Sequence, residues 1–328
     1  MRKLFLSALS FLFLRGALLC APQEICLTCH EDQGKILQPS VHGQAGLACS
    51  DCHADLINLT ADGHGDTPGK AVCAACHAPE TERHAKSVHA NARPDKRGPA
   101  AFCQDCHGSH EIRTLTDAAA LVSRGRIIGT CGACHPVIKT DYLEGVHGKD
   151  VMAGVKEVPV CTDCHSGHDV LSHVNPAASS SALRLAVVCS RCHDNEVISK
   201  KFGLKASRLK SFKGSFHGKA SGAGADKVAN CASCHGFHDI RPSSDPKSSI
   251  HPTNLPKTCG ACHAGAGKNF ARGRIHDPSD RSGDTGAFII RIFYVVFISG
   301  LMTLFILYIA ADLFRRAATP WKKTDSLP

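Results

Sequence analysis

The stretch Cys161-Thr162-Asp163-Cys164-His165-Ser166-Gly167-His168 sets the reading of the whole chain. Its first five residues spell Cys-x-x-Cys-His, a word that occurs nine times in 328 residues. The copies are numbered here as sites 1 to 9 in chain order: Cys26, Cys29 and His30; Cys49, Cys52 and His53; Cys73, Cys76 and His77; Cys103, Cys106 and His107; Cys131, Cys134 and His135; Cys161, Cys164 and His165; Cys189, Cys192 and His193; Cys231, Cys234 and His235; Cys259, Cys262 and His263. Two thiols three residues apart on one turn can form thioethers with the two vinyl groups on one porphyrin edge, and the next residue then offers its imidazole to the iron as proximal ligand. A zinc site would need four ligands and no histidine at a constant offset. A disulfide framework would not space its cysteines so uniformly. The set predicts nine covalently bound haem c groups.

Composition supports a fold built around such groups. The motifs take 18 of the 19 cysteines and leave only Cys20. The stretch 22–286 offers roughly 29 residues per motif, too few for a separate protein core around each. Of 14 Phe, three lie in the first 14 residues and five at 288–314, and the single Trp is Trp321. The porphyrins are therefore expected to be the core, and the chain is expected not to fold without them. The formal charge of +9 includes Arg2, Lys3 and Arg15 of the N-terminal segment. Two propionates per haem would add about −18, making the loaded protein acidic and excluding a nucleic-acid reading of its basic residues.

Outward from the opening stretch the chain repeats. Ser87-Val88-His89, Gly145-Val146-His147 and Ser215-Phe216-His217 each end fourteen residues before a Cys-x-x-Cys-His word, and a second word starts 28 residues after the first. After the first word of each unit comes another histidine: His110, His168 and His238. An earlier unit is degenerate. Ser40-Val41-His42-Gly43 precedes Cys49 by a shorter interval, and Leu56 stands where the third histidine belongs. Residues 22–275 thus read as one leading site and four two-site modules, joined by Gly-, Ala-, Ser- and Pro-rich loops and short helices with no lasting strand alternation.

The ends read as membrane signals. Residues 1–21 resemble a secretory signal, with a positive start and the apolar run Leu4–Leu14, too short to span a bilayer. Cleavage after Ala21 removes Cys20, and lipidation of Cys20 is the alternative. Residues 276–286 form a polar linker, and 287–312 are expected to cross the membrane, with Ile292–Ala311 uncharged for twenty residues. Arg315, Arg316, Lys322 and Lys323 place the tail 313–328 in the cytoplasm by the positive-inside rule.

Twelve histidines remain after the nine proximal ones. His42, His89, His147 and His217 share the setting Ser/Gly-x-His-Gly/Ala and are candidate distal iron ligands. So are His110, His168 and His238, with His64 in place of the missing third histidine and His276 after the last site. His84, His173 and His251 read as surface or propionate-contacting residues. His110 cannot reach the iron held by His107, because three residues span at most about 10 Å. It should bind a neighbouring iron, and His168 and His238 likewise. Only Met152 of the three methionines lies between the signal and the membrane segment, so nearly every iron should be bis-histidine and low in potential.

The repeated Cys-x-x-Cys-His-Gly-x-His with an upstream Ser-x-His-Gly resembles the multihaem cytochrome c superfamily over about 22–276. The resemblance implies a haem-cored fold of loops and short α-helices with little or no sheet, here with one C-terminal transmembrane helix. It implies export, since haem c is attached outside the cytoplasmic membrane. With its C-terminal anchor the chain is similar to multihaem subunits that accompany a membrane cytochrome b in respiratory quinol oxidation. The resemblance implies a donor in the quinol pool or a membrane cytochrome b, soluble periplasmic cytochromes as acceptors, and lipid contact through one helix of the cytoplasmic membrane. No catalytic residue is expected in that role. The alternative is a terminal reductase of a small nitrogen or sulfur oxyanion at an open haem; the Cys-x-x-Cys-Lys word that such reductases often carry is absent.

Overall fold

The computed structural model describes residues 23–56, 71–90, 100–204, 207–270, 276 and 285–318. Among these the secondary structure is helical, with no strand: short helices of three to nine residues and one long C-terminal helix. The signal segment, His64, most of the polar linker and the tail beyond 318 lie outside the described residues.

The helices are short because each begins and ends at a local device. At the first word of a module the third residue of Cys-x-x-Cys-His caps the helix. The Asp51, Asp105 and Asp163 carboxylates each accept the backbone N–H three residues earlier, from Ala48, Phe102 and Val160, at 2.7 Å. In the last module Asn230 and Ser233 do the same work reciprocally, Asn230 N–H donating to Ser233 Oγ at 3.1 Å. The helices Cys103–His107, Cys161–His165 and Cys231–His235 then stop at Gly108 (φ 82°), Ser166 (φ 67°) and Gly236 (φ 81°). With ψ near 180° these residues occupy a region open in practice only to glycine. The turn swings the chain away, so that the histidine three residues on leaves the vicinity of its own site.

Between that histidine and the second word of a module runs a ladder of turns. Backbone N–H groups of Asp117, Ala120, Ser123 and Arg126 each donate to the carbonyl three residues back at 3.0 Å. The same ladder recurs at Asn175, Ala178, Ser181 and Arg184, and at Asp245, Ser248, His251 and Asn254. Its first rung is locked by a side chain: Asp117, Asn175 and Asp245 each accept the N–H two residues on. Its inner positions are buried and small: Ala120, Ala178 and Ser248, then Ser123 and Ser181. This ladder holds the 28-residue interval constant. It also accounts for His251, which occupies a rung and bonds Thr253 Oγ1 through Nδ1 at 2.7 Å.

Two compact units are present: Met1–Thr140 with Val151–Leu171, and Asp141–Asp150 with Ser172–Pro328. Sites 1 to 6 fall in the first and sites 7 to 9 in the second. Neither has an ordinary hydrophobic core. Among the described residues the buried apolar ones are Ala, Val and Ile only, and the largest side chains that are fully buried are Ser40, Ser199 and Ser248.

The last helix, Thr285–Ala318, spans 34 residues and runs past the uncharged stretch to include Arg315 and Arg316, both paired with Asp312. From Phe288 to Ala318 it is long and apolar enough to cross a membrane.

Candidate metal centres

The histidine upstream of each module is positioned by a serine and a glycine. Ser40 and Ser215 cap the helices Val41–Gln44 and Phe216–Gly222, accepting the N–H of Gly43 and Gly218 at 3.1 Å. His42 and His217 are the second residues of those helices. The following glycine is required by contact: a Cβ would lie 2.1 Å from Leu37 O at Gly43, 2.1 Å from Tyr142 O at Gly148, and 1.9 Å from Phe212 O at Gly218. In the second module Ala90 replaces this glycine. The segment after Ser87 is a turn there, with Ser87 Oγ accepting from both His89 and Ala90 N–H.

Backbone hydrogen bonds then dock each module on the next. The Val41, Val88 and Val146 N–H groups donate to the carbonyls of Ile112, Val170 and Ile240 at 2.8–2.9 Å. Each acceptor lies two residues beyond His110, His168 or His238. Gly145, which stands where the other modules have serine, lies against this neighbour: a Cβ there would be 2.8 Å from His238 O.

The result is a series of facing imidazoles. His42 faces His77 with ring centres 6.0 Å apart, His89 faces His135 at 6.2 Å, His147 faces His193 at 6.3 Å, and His217 faces His263 at 6.1 Å. The histidine upstream of a module thus meets the proximal histidine of that module's second site. His110 faces His53 at 6.1 Å, and His168 faces His107 at 5.9 Å. These two meet the first site of the preceding module. His276 faces His235 at 6.1 Å. Each pair joins one motif histidine to one candidate distal ligand. His238 is half-buried in the second unit.

The separation has a chemical meaning. Two metal–imidazole bonds of about 2 Å, added to the offset of each ring nitrogen from its ring centre, set collinear ligands about 6 Å apart. Among the described residues no group of three or more His, Cys, Asp or Glu converges as a metal site. Paired imidazoles suit an iron whose other four ligands are porphyrin nitrogens. Burial holds His89, His107, His193, His235, His238 and His276 below the usual imidazole pKa and takes His147 down to about 4, so the rings are neutral and available as ligands. Ser211 Oγ lies 3.2 Å from His276 Nδ1, which orients that ring and leaves Nε2 for a metal. His53 Nδ1 is buried with no hydrogen-bond partner. At site 8 a cavity of about 210 Å³ is walled by Cys231, Cys234, His235 and His276, so both cysteines and both imidazoles face one space. These residues fit haem c.

Comparison with known families agrees. Residues 45–243, about 60% of the chain, match the family described as outer membrane cytochrome MtrC/MtrF-like, domains II/IV. The chain belongs to this family. It is a multihaem c-type cytochrome, and its chemistry is electron transfer. The match takes in the complete words of sites 2 to 8 and leaves out sites 1 and 9 and the apolar helix. No curated protein and no solved structure matches the chain.

The third residue of the first word in each module went unread in the sequence, although Asp51, Asp105 and Asp163 recur there. So did the ladder, although Asp117, Asn175 and Asp245 begin it at equivalent positions. Both signals are repeats of small or capping residues, visible only once the modules are aligned.

Proposed function

We propose that the chain is a membrane-anchored conduit carrying nine haem c groups, which takes electrons from the quinol pool or a membrane cytochrome b and delivers them to periplasmic acceptors. The observation that carries this reading is the pairing of imidazoles at about 6 Å: at the paired sites two histidines would hold a haem iron and leave it no place for a substrate. Haem supplies the redox chemistry when bound. The chain's own residues would hold it: the cysteines by covalent bonds, and Ser40, Ser215 and Ser211 by aiming imidazoles, while burial keeps His147 and His276 neutral.

Low-temperature EPR on the oxidised, detergent-purified protein tests the reading, with a haem count on the same sample. Nine haems, all low-spin, are expected. A stoichiometric high-spin signal would favour the reductase alternative and would call for a screen of nitrogen and sulfur oxyanions.

For location, the long apolar helix supports the cytoplasmic membrane, because outer-membrane spans are typically closed barrels. The family's description as outer membrane cytochrome supports the second reading, delivery at the cell exterior. Density-gradient separation of the two membranes distinguishes them. Haem-stained protein in the inner-membrane fraction is expected, and its recovery with the outer membrane would move the proposal outward.

A further inference from the structure

The sulfurs report the order of the sites in space. Between modules the first cysteines meet. In the first unit the side chains of Cys26 and Cys49, of Cys73 and Cys103, and of Cys131 and Cys161 are neighbours. So are those of Cys189 and Cys231 in the second. The helices that carry them pack together: Gln23–Leu27 on Cys49–Cys52, Ile127–Gly132 on Cys161–His165, and Leu185–His193 on Cys231–His235. Cys73 and Cys103 line one cavity. Within a module the second cysteines are neighbours. Cys52 interacts electrostatically with Cys76, Cys106 with Cys134, and Cys234 with Cys259 and Cys262. The helices Cys231–His235 and Leu255–Gly260 also pack together.

The geometry points to single-file electron transfer in chain order within each unit: sites 1-2-3-4-5-6 in the first and 7-8-9 in the second, the sulfurs of each site lying beside those of the consecutive sites in its unit. The inference rests on the proposed haem ligation and goes beyond it, because ligation alone leaves the order open. First sulfurs meet across the join between modules, and Cys73 and Cys131 also lie near Cys52 and Cys106 of their own modules. Haems attached to these sulfurs would come edge to edge at each of these junctions, and tunnelling, which weakens steeply with edge separation, would be favoured between consecutive sites. The histidine pairs run on a different interval. His107 and His110, three residues apart, belong to sites 4 and 2, so the imidazoles tie alternate sites while the sulfurs join adjacent ones. A zigzag file satisfies both, and a branched cluster would bring non-consecutive sulfurs together.

The test is a structure of the matured, detergent-purified full chain by cryo-electron microscopy, with haem count and EPR on the same preparation. In each unit the shortest edge-to-edge distance from every haem should be to a consecutive haem. A haem in either unit lying closer to a non-consecutive one, site 2 to site 4 for example, with nine low-spin haems present, would overturn the single file and leave the ligation standing. A stoichiometric high-spin signal would overturn the ligation reading and the single file with it.

Discussion

Ser166 shows how much a single residue carries. It follows a proximal histidine, as Gly108 and Gly236 do in the neighbouring modules, yet it holds φ 67° and ψ 178° with a side chain in place. Such a conformation costs about 1–3 kcal/mol outside glycine. Ser166→Gly should therefore raise stability by about 1 kcal/mol, the relief of strain being partly offset by the greater freedom of glycine in the unfolded chain. The denaturant midpoint of the haem absorption band measures it. Gly148→Ala should act in the opposite sense. Its Cβ would meet Tyr142 O at 2.1 Å, and overpacking of this kind typically costs about 1–3 kcal/mol. Because His147 is the adjacent residue, that loss should come with a perturbed low-spin signal. At this scale the sequence was legible wherever chemistry dictates spacing, as in the nine words and the histidine three residues beyond. It was silent on which imidazoles meet, because the approach of His42 to His77 and the docking of Val41 on Ile112 beside it are contacts without a local signature.

Elements in this protein serve to aim ligands more than to bury surface. The helix Phe216–Gly222 presents His217 from a first turn fixed by Ser215. Ser215→Ala removes one acceptor from an N-terminus and should cost about 1 kcal/mol. It should also weaken the hold on the iron of site 9, read as a rise in the fraction of that site displaced by an exogenous ligand such as imidazole or cyanide. The short helices and the absence of strands among the described residues follow from motifs, turn residues and Gly-rich joints that any reading of the chain meets. The turn ladders do not. Their period of three matches neither α-helix nor strand, and their buried positions are alanine and serine, which hydrophobic patterning ignores. The long helix was legible by length and apolar character, and it continues through Arg315 and Arg316 because Asp312 pairs with both.

Taken whole, the molecule has almost nothing large to bury except its prosthetic groups. Where a domain of this length would normally enclose Leu, Phe and Met, the largest fully enclosed side chains among the described residues are serines. Buried apolar area is the main favourable term in folding, and here it must come from porphyrin. Chain made without covalent haem attachment should show no cooperative thermal transition and should be degraded at once by a general protease. A compact, resistant apoprotein would refute this.

The crossing of ligands between modules also says how such a chain can lengthen. In the pairs described, a module sets one imidazole against the motif histidine of its own second site and lends another to the first site of the module before it. A duplicated module inserted into the series would lend one and borrow one, so no iron would be left bare by the change. Only the final module has no successor to lend to it, and there His276, beyond the last word, stands against His235. The terminal histidine is the fixed end of an otherwise extensible design. Ancestral growth or shrinkage by whole modules would be tolerated anywhere upstream of it, whereas loss of that one residue could not be made good by any repeat.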